Sequence, residues 1–113
     1  MPLKEIRLDE ELWKNMKEDI REILVGDILQ SGIARIKPKQ RLPSAGFSKH
    51  EESDELSIVL SGKLKFCTDT EELILEHGSL LLNPKGTPHF VENIGNEEAR
   101  VLWVLAPKIK LQK

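Results

Sequence analysis

His89 is reached through an unusually constrained stretch of backbone. Pro84, Gly86 and Pro88 all precede it within LLLNPKGTPHF. Proline locks φ, and glycine admits angles that other residues avoid. The chain is therefore held firmly just before a side chain that can bind a metal or move a proton. His50 and Glu55 form a second candidate pair. His50 precedes EESDE, and Glu55 opens the apolar run ELSIVL. Side chains alternate along a strand, so Glu55, Ser57 and Val59 share one face while Leu56, Ile58 and Leu60 share the other. A carboxylate turned inward needs a partner, because an unpaired buried charge is costly or shifts its pKa. A metal ion, an arginine or a pair of hydroxyls would each satisfy it. The bland alternative is that HEESDE is a solvated face, as most charge runs are.

The elements that must position these side chains are mostly strands. Leu8, Leu12, Met16 and Ile20 recur every four residues behind a candidate cap at Asp9, which predicts a short helix from about residue 9 to 17. IREILVGDILQSGIARI reads as two strands around a tight turn at Gly26-Asp27, the second running from Ile28 to Ile36. Further strands are predicted at Leu56–Leu60, Lys63–Cys67, Glu72–Glu76, Leu80–Asn83, His89–Asn93 and Ala99–Leu105. Many short strands with regular turns predict an all-β sandwich or barrel. Residues 1–19 are read as an N-terminal extension with the helix, and 20–113 as one barrel domain. His77, beside Gly78, is expected in an exposed turn. Phe47, Phe66, Phe90 and Trp103 are expected in the core or an interface, Cys67 as a small buried hydrophobe, and Trp13 over an open end of the barrel. Arg35 and Arg41 are expected at the surface, and Asn93 is expected to bond a neighbouring loop.

Composition narrows the function classes. The net charge is −2 with no segregated basic face, so nucleic acid is not an expected partner. One cysteine allows neither an intrachain disulfide nor a cysteine metal cluster. Apolar runs fall short of a membrane span, and MPLKEIRLDEELW lacks the apolar core of a signal peptide. A cytoplasmic protein that does not bind membranes is expected.

With these residues in view, the sequence resembles the cupin superfamily of small β-barrels. Gly78, Pro84, Gly86, His89 and Asn93 match the second cupin motif, G-x5-P-x-G-x2-H-x3-N, at every position. His50, Glu55 and Gly62 match the end of the first, G-x5-H-x-H-x3/4-E-x6-G, while Ser48 stands where its first histidine belongs and the leading glycine is out of place. The resemblance implies a double-stranded β-helix, the jelly-roll barrel of cupins, over most of the chain. It also implies that the Pro84–Pro88 turn delivers His89 to the barrel mouth. In metal-binding cupins three histidines and a glutamate hold the ion. Carried over by position, His50, Glu55 and His89 remain, as metal ligands and as catalytic residues. Two histidines and a carboxylate suit Fe(II), and three protein ligands suit catalytic zinc. The cofactor expected is one divalent ion: Fe, Mn, Zn or Ni.

Two functional readings follow. One is a metalloenzyme acting on a small oxygen-rich molecule, of dioxygenase, decarboxylase or isomerase type, with Glu55 and His89 as acid and base should oxygen chemistry be absent. The other is a non-catalytic, sensor-like binder of a small molecule with a degenerate or metal-free site. With 113 residues no room is expected for a DNA-binding domain, so a sensor would need a separate partner. A homodimer is expected, pairing through Ile28–Ile36 or Val101–Leu105, because sheet edges need covering.

Overall fold

Strand β9, Ala99–Ala106, sets the plan of the molecule. Its burial alternates strictly. Ala99, Val101, Trp103 and Leu105 turn inward and are buried, each larger one contributing on the order of 1.5–3 kcal/mol if fully transferred from water. The computed structural model describes residues 2–109, so the last residues of the expected domain lie outside the described ones. In chain order the elements are helix α1 (Glu10–Lys14), then strands β1 (Ile20–Val25), β2 (Gln30–Ile36), β3 (Arg41–Leu42), β4 (Asp54–Ser61) and β5 (Lys63–Thr68). These are followed by β6 (Glu72–Glu76), β7 (Leu80–Asn83), β8 (His89–Asn93) and β9.

Two sheets pack face to face, ordered β1-β2-β9-β4-β7 and β3-β8-β5-β6, and every strand pair is antiparallel. This is the double-stranded β-helix expected from the sequence. Between the sheets Ile36, Val59, Leu64, Phe66, Trp103 and Leu105 join one cluster. The other face of the five-stranded sheet carries a smaller cluster, where Trp13 and Met16 cover Ile33. No helix among the described residues is long and apolar enough to cross a membrane.

The N-terminal segment differs from expectation in two ways. The helix is a short piece, Glu10–Lys14, capped by the Asp9 carboxylate, which accepts from the Leu12 N–H. It ends three residues before the expected limit at 17, while Ile20 opens β1, the strand expected there. Trp13 does not close an end of the barrel. It packs on the outer sheet face, because Ile33 and Leu102 there would otherwise meet water. Arg35 holds it in place, donating to the carbonyls of Trp13 at 3.1 Å and Met16 at 2.6 Å.

β2 starts at Gln30 rather than Ile28, and the Gly26 N–H donates to Leu29 O at 2.8 Å to close the turn. Neither strand expected to pair with a second copy has a free edge. β2 lies between β1 and β9, and β9 lies between β2 and β4, so their backbone groups are already used. Phe47 is half exposed, edge-on to Phe90, and outside the core. Phe66, Cys67 and Trp103 are buried as expected, and His77 is exposed in a turn.

Candidate metal centre

The turn before His89 does more than aim one side chain. The Gly86 N–H donates to His50 O at 2.7 Å, with Gly86 at φ +78°, a left-handed angle that favours glycine. The Lys85 N–H donates to the Asp54 carboxylate at 3.0 Å. Ser48 and His89 exchange both backbone hydrogen bonds at 2.8 Å. The loop that carries His50 is thereby laced to the turn that delivers His89. Glu55 enters from β4, directly opposite Asn83 on β7.

The three sequence-selected side chains come together. One donor atom from each of His50, Glu55 and His89 lies within 4.8 Å of the others. His50 Nε2 is 3.8 Å from Glu55 Oε2, and His89 Nε2 is 3.7 Å from Glu55 Oε1. Those separations are too long for hydrogen bonds. Three donors thus face one another without bonding, and two imidazoles with a carboxylate form a donor set for a divalent transition ion. The residues fit such an ion.

The surroundings prepare that role. His89 Nδ1 lies 3.0 Å from Thr87 O. A proton on Nδ1 has that carbonyl as acceptor, which leaves the Nε2 lone pair facing Glu55. The Asn83 amide comes within 3.0 Å of the same Nδ1, and the Phe66 ring stacks on the imidazole at 5.3 Å. Burial pushes the Glu55 carboxyl up to about 7. Burial, and next the charge of His89, holds His50 below its ordinary pKa. Burial also lowers His89, opposed by its bond to Thr87. A carboxyl pushed toward neutrality beside neutral imidazoles is what desolvation produces where no cation balances it.

The trio borders a cavity of about 250 Å³ between the sheets. Ser57 lines it from the Glu55 face of β4, and so does Ser48, the position of the absent histidine. Asn83 and Ser57 carried no expected part in the site, and Phe66 was expected only in the core or an interface. The signal for Asn83 was a polar residue ending an apolar run just before Pro84. Arg35 and Arg41 do not line the cavity. Asn93 is buried and structural: its amide donates to Ile36 O and Glu97 O and accepts from the Gly95 N–H.

Comparison with known proteins agrees with this fold. The family model described as "Cupin domain" matches residues 32–105. The chain belongs to the cupin family. An uncharacterized protein of Methanocaldococcus jannaschii is 35% identical over 59 residues, covering 52% of this cupin and 47% of that protein. The oxalate-binding protein of Thermotoga maritima is 29% identical over 75 residues, covering 64% and 62%. The matched stretch thus spans about half of the first relative and less than two thirds of the second. The crystal structure of a Bacillus halodurans protein superposes with a TM-score of 0.82 at 21% identity, over 98% of this cupin and 86% of that chain. That likeness shows the fold.

Proposed function

We propose that this cupin holds one divalent ion (Fe, Mn, Zn or Ni) through His50, Glu55 and His89, and acts on a small oxygen-bearing molecule admitted to the cavity. The reaction types in view are dioxygenase, decarboxylase and isomerase. The observation that carries the reading is the convergence of three donor atoms within 4.8 Å at the edge of a cavity. The name of the Thermotoga maritima relative, oxalate-binding protein, supports a ligand that bears oxygen donors.

A bound ion would supply a Lewis acid that polarises a carbonyl or carboxylate oxygen of the ligand. The chain's own residues do the rest. Thr87 O orients the His89 ring by accepting from Nδ1–H, and Phe66 fixes its plane. The hydrocarbon walls of the cavity keep water from the ligand and strengthen every charge interaction within. Glu55 gives up its proton when the ion binds, which makes binding pH-dependent.

Elemental analysis of untagged protein tests the ion. One ion per chain is expected, with binding weakened by more than about 100-fold in His89→Ala, beyond what loss of a supporting residue costs. Unchanged ion content in the variant would refute the assignment. Ser48 favours a second reading, a binder without turnover, because a hydroxyl lines the cavity where cupins carry another histidine. Thermal stabilisation by a ligand with no turnover in Mn-, Fe- or Zn-loaded protein would select that reading.

A further inference from the structure

The cavity is chemically lopsided. Its polar lining is Ser48, His50, Glu55, Ser57 and His89, apart from the enclosed indole N–H of Trp103. The remaining walls are hydrocarbon, including Ile36, Val59, Leu64, Leu75, Val101 and Leu105. None of the described residues lining it is a lysine or arginine. Nearby cations are engaged elsewhere. Arg41 donates to Pro43 O and Gly46 O and lies over the Phe90 ring at 3.9 Å, and Lys49 pairs with Glu51 at 2.8 Å. A volume of about 250 Å³ takes on the order of ten non-hydrogen atoms. A ligand made only of polar atoms would leave several unpartnered against those walls, a costly burial.

We propose that the ligand is amphipathic: an oxygen-donor head with at most one negative charge at the trio, and a hydrocarbon tail between the sheets. The head assignment rests on the function proposed above, whereas the tail rests on the cavity walls alone. Charge balance points the same way. A divalent ion with one carboxylate leaves a single positive charge, which a monoanion neutralises and a dianion overshoots. In a low-dielectric site that excess is expensive.

Two homologous series test this in the full chain. In Zn²⁺-loaded protein the straight-chain 2-oxo acids, from pyruvate to 2-oxooctanoate, are titrated by calorimetry beside oxalate. In chelated protein the uncharged 2-alkanones are titrated. Affinity is expected to rise about fourfold per methylene in both series until the cavity fills, with oxalate the weakest of the acids. A flat chain-length dependence in both series, or oxalate binding most tightly, would overturn the proposal. A slope among the ketones without any Zn²⁺ effect on the acids would uphold the tail and refute the metal reading. Ala34→Val narrows the cavity. It is expected to weaken 2-oxooctanoate about tenfold relative to pyruvate, a difference that does not depend on how well the variant folds.

Discussion

Glu55 lies between two imidazoles, and burial pushes its carboxyl up to about 7 from 4.5. Between those values the native state keeps a proton that the unfolded chain has released. Metal-free protein therefore loses stability as pH rises through this window. Glu55→Gln is neutral at every pH and escapes the loss. His50 and His89, both held low, act in the opposite sense below about 6.5, but they do so in both proteins. In chelator, the advantage of Glu55→Gln over wild type should grow from pH 4.5 to 7, reaching at most about 3 kcal/mol. Urea denaturation at pH 5 and pH 8 measures it, and an unchanged difference would show that Glu55 is not desolvated. With ion present the order should reverse, because the amide is a poor ligand. His50, Glu55 and His89 were legible because motif spacing survives in one dimension. Asn83 and Thr87 O were not, since their part is a contact with His89 Nδ1 that spacing does not encode.

At the scale of elements, period-two alternation is a strong signal wherever one face is buried. β6, β7 and β8 match their predicted bounds, and β9 runs one residue longer. β3 escaped notice because two residues carry no period; it is recognisable only by pairing with β8. The helix, expected to about residue 17, stops at Lys14, because Met16 keeps the apolar spacing and is buried under the outer sheet face without being helical. Packing between elements sets a sharper constraint at Gly32 of β2. A Cβ there would lie 2.1 Å from Trp103 Cζ2 and 2.5 Å from Arg21 O. Gly32→Ala must displace the indole that lines the cavity, at a cost of about 1–3 kcal/mol. Denaturant titration and Trp103 fluorescence read it out. Wild-type stability with an unshifted emission would mean that the indole has slack.

At the scale of the whole molecule, an apolar area remains on the outer face of the five-stranded sheet. Leu82 pairs with Leu56 and Leu80 with Ile58, and Leu80 and Leu82 are 64% and 59% exposed on the edge strand β7. The proposed homodimer therefore has this surface available, in place of the internal strands β2 and β9. Leu80→Glu/Leu82→Glu should halve the mass seen in sedimentation without altering the circular dichroism. A wild-type monomer at micromolar concentration would remove the dimer. The amino-acid sequence alone determined the strand-rich class, the Pro-Gly turn and three candidate ligands, because alternation, φ restriction and motif spacing are local properties of a chain. Tertiary structure alone decided that three donors face one another, that Trp13 covers an outer sheet, and that the described residues lining the cavity beyond the trio are mostly hydrocarbon, with no lysine or arginine among them. Those facts depend on which side chains from distant strands share one enclosed volume, and they exist only after the two sheets have closed on each other.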